Sequence, residues 1–256
     1  MNTEKLFYRF KHQGKTDMAE LLDAALAAQG GMLRWQQIEM LRARLTVSGL
    51  VFGLKGKPDP FRNAEVVVER KRPRTIYAPF AGNGKRGVFE SSRVFIETDA
   101  GEVLQEREEP RNSFAGHKRE THWDDLHLLY FTGYAIWNYL WAPFFLTLPG
   151  FEVRELEPWQ DDDGTWRRLA AKFPPGFPTH CPEQVFYFDA DGLLRRVDYG
   201  ADILGSTPVA HYCYDHQNFS GIVLPTRRRA MLRGPDNHPQ PGPVAVSIDI
   251  HGVTPG

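Results

Sequence analysis

The chain has 256 residues, enough for one large β-rich domain with a sizeable core, and its 31 basic and 32 acidic side chains leave a formal net charge of −1. Those charges are spread through both halves, so no basic field is present to attract nucleic acid or an anionic membrane. Two cysteines, Cys181 and Cys213, exclude a secreted disulfide framework of the usual kind.

Residues 1 to 17 alternate in charge and lack the apolar core of about 7–15 residues that a secretory signal carries, so a cytoplasmic location is expected. The stretch reads as a flexible N-terminal extension, and residues 18 to 256 as a single domain. AELLDAALAA (19 to 28) is composed of strong helix formers, with Asp17 as N-cap and Gly30-Gly31 as the stop; MLRWQQIEML gives a second helical turn or two. RARLTVSGLVFGLKG then puts Ala43, Leu45, Val47 and Val51 on one face and Arg42, Arg44, Thr46 and Ser48 on the other, a period of two that means strand.

The same alternation returns at 64 to 72, 74 to 80, 87 to 99 and 102 to 108, punctuated by Gly82-Asn83-Gly84 and Asp99-Ala100-Gly101. The basic cluster Arg70, Lys71, Arg72 and Arg74 has Glu65 and Glu69 beside it and reads as a solvated strand end. Residues 128 to 151, LLYFTGYAIWNYLWAPFFLTLPGF, carry no charge and nine aromatic side chains; Asp124 and Asp125 precede them, where the positive end of a helix sits. Strands resume at 151 to 156, 165 to 173, 184 to 199, 209 to 216, 221 to 232 and 244 to 252, with Asp161-Asp162-Asp163-Gly164 and Asp189-Ala190-Asp191-Gly192 as turns. The expected architecture is α+β, mainly antiparallel β with about 10–11 strands and a few helices.

AAQGGMLRWQQIEMLRARLTVSG, with its helix, Gly-Gly and amphipathic entry into a first strand, resembles the opening of the bacterial lipoprotein-carrier (LolA/LolB-like) superfamily. The QVFYFDADGLLRRVDY hairpin and the GIVLPTRRR strand are similar to it as well. The resemblance implies a curved antiparallel half-barrel whose apolar concave side is plugged by helices: here the aromatic central helix and the N-terminal pair. It also implies a hydrophobic ligand, since the superfamily includes periplasmic lipid carriers, and it includes a cytoplasmic violacein-pathway enzyme that needs no metal or cofactor.

On a helix, Tyr130, Tyr134, Trp137, Trp141, Phe144, Phe145 and Leu148 form one aromatic stripe, and Leu129, Gly133, Ile136 and Leu140 another face. Either both faces are core, or part of the stripe (Tyr130, Tyr134, Trp137, Trp141, Phe144, with Asn138 as the polar group) lines a cavity for an apolar small molecule or acyl chain. A membrane span fits worst, because the segment carries two prolines and interrupts a sheet. On the strand VAHYCYDH, His211, Cys213 and Asp215 share a face, so His211 and Asp215 could transfer protons, and Arg228 on the neighbouring strand could hold a substrate carboxylate. His180, Cys181, His211, Cys213 and His216 are zinc-type ligands, but adjacent His180 and Cys181 cannot share a strand face and no C-x-x-C is present; neither metal nor cofactor is expected. Two functions follow: a binding protein for a hydrophobic molecule, or a cofactor-independent isomerase or cyclase acting on one.

Overall fold

The computed structural model describes residues 20–161 and 164–256. The expected extension at 1–17, with the Asp17 cap, lies outside the described residues, as do Asp162 and Asp163 of the expected turn. A helix covers 20–28 (α1); it is followed by α2 (Gly31–Gln36), β1 (Met40–Ser48), α3 (Leu50–Leu54) and β2 (Phe61–Glu69). Next come β3 (Arg74–Ala78), β4 (Lys85–Glu90), β5 (Arg93–Thr98), β6 (Val103–Glu108) and α4 (Asp125–Trp141). The second half holds β7 (Glu152–Asp161), β8 (Gly164–Lys172), β9 (Glu183–Phe188), β10 (Leu194–Gly200), β11 (Pro208–Phe219), β12 (Ile222–Leu232) and β13 (Val246–Pro255).

All the strands join one open antiparallel sheet in the order β6-β5-β4-β3-β2-β1-β13-β12-β11-β10-β9-β8-β7. Two meanders meet where β1 pairs with β13, and the segment carrying α4 runs from one sheet edge, β6, to the other, β7. The result is the expected curved half-barrel with helices on its concave side. There are thirteen strands among the described residues rather than 10–11; 87–99 divides at a turn over Ser91 and Ser92, making β4 and β5 a tight hairpin. Val51 is the other correction. Strand β1 stops at Ser48, Gly49 takes φ 125°, and Val51 sits on α3 rather than on the strand face.

Strand β1 buries Leu41, Ala43, Leu45 and Val47 while Arg42 and Arg44 stay exposed, the period-two pattern of a half-buried strand. Helix α4 begins at Asp124, whose carboxylate accepts from the His127 backbone N–H (2.8 Å). Burial of Asp124 opposes its ionisation, but the Arg107 guanidinium and that N–H hold its carboxyl down at about 2. The helix ends at Trp141, two residues before Pro143. At 17 residues it is shorter than the roughly 20 needed to span a bilayer, and among the described residues no helix is long and apolar enough to cross one.

Every α4 residue from Leu128 to Trp141 is buried. The helix lies on β2 to β5, so closely that a Cβ on Gly133 would come 2.3 Å from the Phe89 Cβ. Thr75 Oγ1 donates to the Gly133 carbonyl (2.8 Å) and the Tyr77 hydroxyl to the Thr132 carbonyl (3.1 Å). Trp35 of α2 meets Trp141 edge-on and stacks on Phe144. The basic cluster at 70–74 is tied down by Glu39, Glu69 and Glu90.

Candidate functional site

Helix α4 meets the concave face of β11 and β12 at Tyr139, which touches His211 and Arg228, but the stretch at Val209, Ala230 and Leu232 borders a cavity instead. Facing that stretch are α3 and the segment 240–246, and the cavity between them and the sheet is about 610 Å³, within the roughly 300–1,000 Å³ usual for ligand pockets. Leu50, Val51 and Leu54 line one side, Val209, Ala230 and Leu232 the sheet side, and Ile203 and Leu204 the turn between β10 and β11. Phe131, His180 and Tyr199 reach it from within. Leu50 and Leu232 are 40% and 43% exposed at this cavity, which makes its opening apolar as well.

Short local contacts build that wall. The first N–H groups of α3, which have no partner within the helix, donate from Leu50 to the Val244 carbonyl and from Val51 to the Ala245 carbonyl, both at 3.1 Å. Gly49 permits the approach, since a Cβ there would meet the Ala245 carbonyl oxygen at 2.5 Å. The far end of α3 is held by Lys55, whose Nζ donates to the Lys118 and Arg119 carbonyls, each at 2.9 Å. Arg111 fastens the opposite side, donating to the Thr179 carbonyl (2.9 Å) and pairing with Asp202 (2.8 Å).

Beneath the cavity lies a buried chain of tyrosines and histidines. The Tyr134 hydroxyl is hydrogen-bonded to His180 Nδ1 (3.0 Å) and the Tyr139 hydroxyl to His180 Nε2 (2.6 Å). Tyr139 joins Tyr199 (3.1 Å), which joins His211 Nδ1 (3.1 Å). Burial, with Arg111 adding to it, pushes His180 down to about 3, and burial with Arg228 and then His180 holds His211 well below its usual range. Both imidazoles are therefore neutral near pH 7. A neutral ring has one donor and one acceptor nitrogen, so His180 donates to one tyrosine and accepts from the other, giving the chain a single direction.

Arg228 is 1% exposed. It donates to the Tyr139 carbonyl (2.7 Å) and to Cys213 Sγ (3.2 Å), and stands over the Tyr139 ring at 5.0 Å. His211 meets the same ring edge-on at 4.7 Å, so the fold brings His211 and Arg228 to two sides of Tyr139. Asp215 is not with them, which corrects the shared face expected from alternation. Its φ of 55° breaks the alternation within β11, and its exposed carboxylate pairs with Arg227 (2.7 Å), which holds it below the usual range.

The aromatic stripe goes into the core. Tyr130 packs on Phe89 and Phe114, Trp137 Nε1 donates to the Glu69 and Arg72 carbonyls, and Asn138 Nδ2 donates to the Tyr134 and Pro178 carbonyls. Of the expected ligand residues Tyr130, Tyr134, Trp137, Asn138, Trp141 and Phe144, none lines the cavity; from α4 only Phe131 does. Lys55, His180 and Tyr199 escaped sequence reasoning as ligand-facing groups, although His180 stood out there as a metal-type side chain. Among the described residues no group of three or more His, Cys, Asp or Glu side chains is arranged to hold a metal ion.

No protein-family profile matches the chain, and no curated protein matches it in sequence. Solved structures do match in shape. A domain named for outer-membrane lipoprotein sorting, from Vibrio parahaemolyticus, aligns over 94% of this chain and 92% of its own with 8% identity and a TM-score of 0.51. A LolA superfamily protein from Nitrosomonas europaea aligns over 93% of both chains at 8% identity and 0.49, and a DUF1329 family protein from Desulfovibrio piger over 93% and 92% at 13% and 0.47. With the likeness to the Vibrio domain, the open thirteen-stranded sheet and its plugging helix give this chain a LolA-like fold.

Proposed function

We propose that the protein binds a hydrophobic small molecule or acyl chain in the cavity between α3, the segment 240–246 and strands β11 and β12. The observation that carries this reading is the cavity itself: about 610 Å³ with a mainly aliphatic wall, on a fold that the Vibrio domain shares. Both cysteines are free and buried, as suits the reducing cytoplasm in which we place it; fractionation of expressing cells checks the location.

The test is native mass spectrometry of gently purified protein together with titration of dodecanol. An apolar ligand should co-purify, and Val209→Phe, which adds a ring to the cavity wall, should weaken dodecanol about tenfold or more while the fold survives. Protein that emerges empty and ignores dodecanol contradicts the reading.

An isomerase or cyclase is the second reading, supported by the tyrosine–histidine chain that meets the cavity at His180 and Tyr199. Two observations weigh against it. Asp215 is exposed and paired with Arg227, and His180, held at about 3, is poorly matched to proton transfer near neutrality.

A further inference from the structure

The charged groups along the cavity are of one sign. Lys55, Lys118 and Arg119 line it, and among the described residues no Asp or Glu does. Several basic side chains of the sheet find carboxylates: Arg74 has Glu69 and Glu90, Arg107 has Asp124, and Arg229 has Asp249. The three cavity cations form no ion pair among the described residues, although Glu120 acts on Lys55 through space.

Lys55 is the informative member. It is 4% exposed, its ammonium stands 5.7 Å from the centre of the Trp123 ring, and its polar contacts are two backbone carbonyls. Neutral carbonyls and a ring face compensate a buried cation only in part, so a carboxylate or phosphate arriving there gains a charge-assisted partner. Lys118 and Arg119 are exposed beside it and extend the positive potential to the opening, while His117, lowered by burial and then by His127 and Lys55, adds no charge near neutral pH.

We propose that the cavity takes an amphiphile with an anionic head group, the head at Lys55, Lys118 and Arg119 and the chain along Val51, Leu54, Val209 and Ala230. This rests on the binding reading above and adds a sign to it. Neutral lipids of the same chain length bind more weakly, and cationic ones weakest.

Calorimetric titration of the full chain with laurate, dodecyl phosphate, dodecanol and dodecyltrimethylammonium tests it. We expect at least one of the two anions to bind about tenfold or more tighter than dodecanol, the tighter anion identifying the head group, and the quaternary ammonium to bind weakest. Lys55→Met, which keeps the apolar stem, and the double change Lys118→Ala with Arg119→Ala should each lower the ratio of anion to dodecanol affinity at least about threefold. If Lys55→Met does not fold, the exposed double variant decides. Equal affinity for anions and dodecanol, a preference for the cation, or a preference that the double variant leaves intact overturns the proposal while the apolar-binding reading stands; no binding of any of the four overturns both.

Discussion

Strands β2 to β5 and strands β10 to β12 bury the same concave face in different ways. Over β2 to β5, α4 comes down until Gly133 nearly touches Phe89, and Trp137 of α4 ends in hydrogen bonds to the Glu69 and Arg72 carbonyls. Over β11 and β12, the five-residue helix α3 stands off behind a cavity, and the floor is a chain of neutral histidines and tyrosines around a buried arginine. Packed aromatic surface is thus the mark of the half that is finished. The half with space left for a ligand has smaller aliphatic side chains, mixed with polar groups.

The largest break in that contrast comes from Trp137→Ala. It should cost about 3–5 kcal/mol in urea denaturation, because a ring is removed from a filled core and two carbonyls lose their donor, yet the folded fraction should bind dodecanol as before. A loss of affinity larger than the loss of folded protein would put the ligand on the aromatic half. Gly133→Ala should follow at about 1–3 kcal/mol or more, since the added methyl must push α4 off β4; an unchanged denaturation midpoint would mean the helix stands further off.

Acid acts on the other half. His180 is held at about 3 and His216 at about 4, and His211 also lies low, all below the ordinary value of about 6.5. The unfolded chain therefore binds protons that the folded one excludes: these groups leave stability intact above about pH 6.5 and lower it as pH falls toward 4. Each removes up to about 1.4 kcal/mol per pH unit. The slope between pH 6.5 and 4 should flatten in His180→Gln, and an unchanged slope would show that His180 titrates freely. The smallest effect belongs to Asp215→Asn, whose pair with Arg227 is exposed and screened by solvent; neither stability nor dodecanol affinity should change measurably, and a large drop would return Asp215 to the site.

The fold was readable because strand period and turn chemistry are local. Alternation in β1, and in β12 with Thr226 and Arg228 inward and Arg227 outward, survives into the structure, as does Asp124 at the start of α4. The site was less readable, because a cavity is a property of what fails to meet across a curved sheet. Tyr130 and Trp141 have the composition of a ligand stripe, but β4 supplies Phe89 and α2 supplies Trp35 to fill against them, and no single strand records that. Asp215 misled for a different reason. A positive φ at a non-glycine residue breaks the alternation that placed it beside His211, and the sequence has no glycine there to mark the irregularity.

The most direct test of where the ligand sits is a crystal structure of the protein with 12-bromododecanoate, in which the anomalous signal of bromine marks the chain end. The expected peak lies in the cavity near Val209 and Ala230, with the carboxylate toward Lys55. A peak against Trp137 or Trp141 beneath α4, or none inside the protein, would contradict the account.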